Sequence, residues 1–79
     1  MKSFHLVITS LEGAKFDGEA ESVTVPGSAG EMTLLADHEP LVSTLRKGTI
    51  MARSKSGEQE FEVARGVLEC SGGNVTILI

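Results

Sequence analysis

The chain predicts an all-β fold, on two observations. Apolar residues recur with period two, and turn clusters interrupt that period at intervals of roughly eight to twelve residues. No window sustains the 3.6-residue period of an amphipathic helix of useful length. The pattern fits a sandwich or barrel of antiparallel strands, most with one polar and one buried face.

Taken in order, Phe4, Leu6 and Ile8 fall on one side of a first strand, with His5, Val7 and Thr9 on the other. The cluster "LEGAKFDG" reads as a turn. In "PGSAG", Pro26 presets φ and Gly27 can take φ above zero, which is a turn signal. "ADHEP" reads as a loop entering a strand, because Pro40 forces Glu39 into an extended conformation. "RKG" and "SKSGE" mark further turns, and after them Phe61 and Val63 alternate with Glu60 and Glu62. Ser71-Gly72-Gly73-Asn74 reads as a hairpin loop. Beyond it Val75, Ile77 and Ile79 alternate with Asn74, Thr76 and Leu78. With no repeat, low-complexity tract or linker, residues 1–79 read as one domain.

A chain of 79 residues buries only about 60% of the surface that its unfolded form exposes. The core is therefore thin, with little room for a deep pocket. Hydrophobic residues at 41% and charged ones at 23% are ordinary for a globular protein. No apolar run is long enough to span a membrane, and "MKSFHLVITS" lacks the pattern of a signal peptide. The sequon at Asn74 is accordingly expected to be silent. A lone Cys70 cannot form an internal disulfide and fits a reducing compartment. Net charge is −4 and the seven Lys and Arg are scattered, without the basic stripe of a nucleic-acid binder. Three phenylalanines are the only aromatics, so no stacking platform for single strands is expected. An anionic membrane surface would repel such a chain. A protein or small-molecule partner remains.

Catalytic and metal chemistry find little footing. His5 and His38 are far apart, and Asp37, His38 and Glu39 are consecutive, so their side chains point apart rather than toward one ion. Cys70 with His38 could in principle form a dyad. Cys70 shares its register with Leu68, however, which suggests a small buried hydrophobe. "GSAGEM" lacks a Gly-Lys-Ser/Thr ending and a following helix, so it is no phosphate cradle. His38 becomes a loop residue that packs or faces a partner. The residues themselves carry the reading as far as a small β-sandwich interaction module.

The order of the pieces carries it further. "VTVPGSAGEMTLLADHEPLVSTLRKGTI" followed by "FEVARGVLECSGGNVTILI" resembles the N-terminal β-sandwich of the epsilon-subunit family of F-type ATP synthases, over Phe4 to Ile79. The motifs are Val-x-Val-x-Gly-x-x-Gly-Glu-Met, His-x-Pro-Leu, Gly-x-Leu-Glu and a final Asn-Val-Thr. The resemblance implies a ten-stranded antiparallel sandwich of two five-stranded sheets, monomeric when isolated. It implies a place in the rotor between the gamma subunit and the ring of c subunits, with no catalysis, metal or cofactor of its own. By position, Pro26, Gly27, Ser28, Ala29, Gly30 and Glu31 match the surface against the c ring, and Ser10 and His38 the surface against gamma. A peripheral position on the cytoplasmic face of a bacterial membrane is implied, in preference to a chloroplast or mitochondrial one. The family usually has Gly where Asp37 and Thr33 stand, and Gly or a small residue at Arg65. It normally continues into a two-helix hairpin that can inhibit hydrolysis and, in some members, bind ATP. This chain ends at "NVTILI", as a natively short member or an excised domain would, and an end directly after a strand favours the former. It is then expected to couple without inhibiting. The alternatives are a generic β-sandwich adaptor outside the synthase and, more remotely, a small metal or thiol enzyme.

Overall fold

A computed structural model describes residues 2–79. Its strands are β1 (Phe4–Ser10), β2 (Gly13–Ala20), β3 (Ser22–Gly27), β4 (Gly30–Leu35), β5 (Leu41–Leu45), β6 (Gly48–Ser54), β7 (Gly57–Val63), β8 (Gly66–Ser71) and β9 (Asn74–Leu78). No helix occurs among the described residues, in line with the all-β expectation.

Hydrogen bonding runs in the order β2-β1-β9-β8-β5-β3-β6-β7, with β4 on the other side of β3. The link between β5 and β3 is a single pairing, Gly27 with Leu45. It divides the path into a five-stranded layer, β2-β1-β9-β8-β5, and a four-stranded layer, β4-β3-β6-β7. Nine strands thus stand where ten were expected. They are not all antiparallel, since β1 and β9 run parallel from His5↔Asn74 to Thr9↔Leu78. The hydrophobic pattern does not reveal this: alternation marks a strand's faces and is silent about its neighbours and their direction.

The alternation itself holds. Phe4, Leu6, Ile8, Leu68, Cys70, Val75 and Ile77 turn inward from the first layer. Val23, Val25, Leu34, Ile50, Ala52 and Val63 face them from the second. Each such large aliphatic side chain contributes about 1.5–3 kcal/mol of burial. Phe16 on β2 and Phe61 on β7 meet edge to face, 6.1 Å between centroids at 77°. As β2 and β7 end the strand order, this pair closes the open side of the sandwich.

Two turn expectations need correction. Most of "LEGAKFDG" is strand β2, whose Phe16 is half-buried between exposed Lys15 and Asp17. Its glycines and aspartate suggested a turn, but an edge strand pairs on one side only and tolerates them. In "PGSAG" the turn residues are Ser28 and Ala29, and positive φ falls on Gly30 (140°), not Gly27. The hairpin Ser71–Asn74 is as expected: Gly72 and Gly73 have φ of 56° and 82°, the left-handed pair that a two-residue hairpin turn demands. Pro40 ends the loop and β5 begins at Leu41.

Candidate functional site

The β3–β4 tip, which contains Pro26–Gly30, is braced rather than loose. Ser28 N donates to Thr44 O at 2.9 Å and Arg46 N to Pro26 O at 2.9 Å, tying the tip to the end of β5. The Ser28 hydroxyl adds contacts to Thr44 O at 3.1 Å and to Thr44 Oγ1 at 2.6 Å. Ser28 and Ala29 remain exposed. The sequence marks a reversal here, because proline and glycine lie between two apolar runs, but the turn itself falls two residues later than Pro26-Gly27. Glu31 pairs with Pro26 in the ladder and is exposed. Its side chain lies over the outer face of the four-stranded layer, in an open depression shared with Thr24, Thr49, Arg53, Glu58 and Glu60.

Register locates the other two named residues. Gly27 pairs with Leu45, Leu45 with Gly66, Val67 with Leu78, and Leu78 with Thr9. Ser10 therefore lies at the same end of the sandwich as the Pro26–Gly30 tip. Its hydroxyl accepts from Glu12 N at 3.2 Å and contacts Gly13 O at 3.4 Å, which shapes the β1–β2 turn. His38 lies at the opposite end. Leu35 pairs with Ser22 at the start of β3, and the neighbouring Asp37 meets Lys2 Nζ at 3.0 Å, just before β1. The His38 ring is exposed and its Nδ1 lies 2.8 Å from Glu39 O, so the proton belongs on Nδ1. Ser10 and His38 are thus separated by roughly 20 Å, the rise of a seven-residue strand.

Between them spreads a surface that motif matching missed. The outer face of the four-stranded layer carries Thr24, Glu31, Thr49, Arg53, Glu58 and Glu60 and is mainly polar, with Met51 and, on β4, Leu35 as its apolar members. The outer face of the five-stranded layer carries Val42, Val67 and Leu78, exposed by 70%, 42% and 53%. Val67 and Leu78 are direct cross-strand partners. The signal was present in the sequence as apolar residues at outward parity, Leu78 between Ile77 and Ile79 and Val42 after Leu41. At the tip end Leu11, at the apex of the β1–β2 turn, is fully exposed.

Residues 3–79 match the β-sandwich domain of the ATP synthase delta/epsilon chain. The chain belongs to this family. Among curated relatives, the ATP synthase epsilon chain of Bordetella parapertussis is 44% identical over 79 residues, covering 99% of this chain and 56% of the relative. That of Bordetella avium is 43% identical over the same span. The chain therefore spans little more than half the length of these relatives. Among solved structures, a chain in the Euglena gracilis mitochondrial ATP synthase OSCP/F1/c-ring assembly superposes with a TM-score of 0.89 at 23% identity, covering 96% of this chain and 49% of that one. A chain in the Tetrahymena thermophila mitochondrial ATP synthase central stalk and c-ring gives 0.80 at 9% identity, covering 98% and 63%. At such identities these two speak for the fold.

Some of the remaining ionisable groups of this delta/epsilon-type sandwich are arranged as pairs. His5 Nε2 lies within hydrogen-bond reach of Asp17 Oδ1 at 2.7 Å, while Glu19 Oε2 stands 4.0 Å from Nδ1, beyond it. Among the described residues no group of three or more His, Cys, Asp and Glu is placed to hold a metal ion. Cys70 is 5% exposed, and desolvation raises its thiol pKa above the ordinary value. A neutral, buried thiol is a packing group, as its register with Leu68 suggested.

Proposed function

We propose that this domain is a non-catalytic rotor component of an F-type ATP synthase, clamping the gamma subunit to the c ring so that ion-driven rotation reaches the catalytic head. Family membership supports the complex. The observation that supports the clamp is the presence of two dissimilar exposed surfaces on one packed body. One is the braced Pro26–Gly30 tip with Glu31 beside it; the other is the apolar outer face around Val42, Val67 and Leu78. A clamp must hold two partners while resisting shear, which suits packed strands and modest, mixed surfaces more than a deep pocket.

In this reading the tip meets polar loops of the c subunits. The outer face meets gamma, which runs along the strands and so reaches both Ser10 and His38 at their opposite ends. The domain sits at the cytoplasmic face of a bacterial membrane as a peripheral part and is monomeric alone. It couples and does not inhibit; the depression beside Glu31, where Arg53 is paired with Glu58, and Glu60 adds a further negative charge, does not favour nucleotide phosphates.

Cysteine pairs test the placement. Cysteines at Ser10, His38 and Val67, each matched with one on gamma, are expected to crosslink while rotation-driven synthesis persists. If none of the three crosslinks, gamma does not lie on this face and the adaptor alternative gains. Hydrolysis by the gamma-containing catalytic complex should change little on adding the domain, and strong inhibition would show regulation residing in the sandwich.

A further inference from the structure

The cations of this acidic chain are unevenly used. Lys2 pairs with Asp37, Lys15 with Glu12, and Arg53 with Glu58. Arg46, Lys47, Lys55 and Arg65 take part in none of the ion pairs or side-chain hydrogen bonds found among the described residues and are exposed; Lys55 stands apart in the β6–β7 turn, the other three near the β5–β8 end. Those three lie together. The β5–β8 ladder pairs Thr44 with Val67 and Leu45 with Gly66, and the next residues beyond its end are Arg46 and Arg65. Lys47 follows directly. Like charges set across a strand pair repel, and none of the three cations forms an ion pair among the described residues, although Glu12 and Glu62 line the same open depression as Arg65. Those two acids have other partners: Glu12 lies 3.5 Å from Lys15, and Glu62 accepts from Thr49 Oγ1 at 2.9 Å.

The backbone beneath the cluster is held. Arg46 N is bonded to Pro26 O and Ser28 N to Thr44 O, so the cations sit on the same braced end as the β3–β4 tip. Forked guanidinium donors suit the paired oxygens of a carboxylate, which each can grip bidentately.

We propose that Arg46, Lys47 and Arg65 form a carboxylate-binding surface that docks an acidic loop of a protein partner. Charge geometry favours a loop over an anionic membrane. A planar lipid surface feels the charge of the whole domain within a Debye length, about 10 Å in 0.1 M salt, and the chain carries −4. A loop bearing one or two carboxylates reaches the three cations and avoids the acidic flank of Glu31, Glu58 and Glu60. The surface adjoins the tip, so it deepens the rotor reading and rests on it only for which subunit supplies the loop.

The test is a titration of the isotope-labelled 79-residue chain with a short acetylated and amidated peptide of alternating Asp, Glu and Gly, followed by amide chemical shifts. Shifts are expected at Ser28–Ala29, Leu45–Gly48 and Ala64–Gly66, and not at the His38 end. Arg46→Glu with Arg65→Glu should weaken binding by about fivefold or more, the scale of two exposed ion pairs. Arg46→Gln with Arg65→Gln should fall between, with spectra elsewhere unchanged to show intact folding. Shifts scattered over the surface, equal binding by the charge-reversed variant, or response at these residues to phosphatidylglycerol vesicles but not to peptide would each overturn the proposal. Reassembly with c-ring membranes separates the two readings. No peptide binding by the parent, with its assembly intact, would remove this surface and leave the rotor reading standing. Peptide binding kept in the parent, with assembly unaffected by charge reversal, would retain the acidic-loop surface and take the ring away from it.

Discussion

Gly27→Ala separates two reasons for a glycine at the tip. The residue has no positive φ, so backbone conformation does not require glycine. A Cβ there would instead stand 2.7 Å from Gly30 O and 2.9 Å from Met32 Cε. Those separations are inside van der Waals contact, so something must shift. Overpacking of this kind costs about 1–3 kcal/mol, and lower entropy of the unfolded chain returns about 0.4–1 kcal/mol. The net expectation is a loss of about 1–2 kcal/mol. For a domain of this size each kcal/mol moves Tm by about 4–8 °C, so a fall of about 5–15 °C follows. Urea titration and a thermal melt measure it. A double-mutant cycle with Met32→Ala assigns the clash: a methyl end can swing away, whereas the Gly30 carbonyl belongs to the turn. Coupling with Met32 should therefore be partial, and Ser28 amide exchange should quicken as the turn yields. A Gly27→Ala protein within about 0.5 kcal/mol of the parent would refute the close-approach argument.

Other outcomes follow from the same geometry. Leu68→Ala empties a fully buried site on an interior strand and should cost about 2–5 kcal/mol by urea denaturation. Cys70 has a raised folded pKa through desolvation, so its contribution is complete below the ordinary thiol range and declines as pH rises through that range toward the folded value; a parent-minus-Cys70→Ala difference that grows with pH would contradict this. Glu31→Lys should change stability by no more than about 0.5 kcal/mol while weakening assembly with the c ring, and unchanged coupling would count against the tip assignment. Leu11→Ser should leave the melt unchanged, since its side chain is fully exposed.

Period-two alternation sorted Phe4, Leu6 and Ile8 from His5, Val7 and Thr9, and Val75 and Ile77 from Asn74 and Thr76. It did so because the two faces of a strand are a local property of the pleat. Turn chemistry was equally local at Gly72-Gly73 and at Pro40, and the buried fate of Cys70 followed from its parity with Leu68. "GEMTLLADHEP" shows where locality stops. Its strand β4 and its loop are contiguous, yet Glu31 and His38 end at opposite ends of the sandwich. Only pairing between distant segments brings Ser10 beside the β3–β4 tip, lays β1 parallel to β9, and leaves Val67 and Leu78 adjacent on an open face. It likewise joins Arg46 to Arg65 across β5 and β8, nineteen positions apart in sequence. Alternation repeats identically along any strand and is blind to which strand lies next to it. Neighbours, register and shared ends are chosen by burial of all the inward faces together, a choice that exists only once the whole chain has closed on its core.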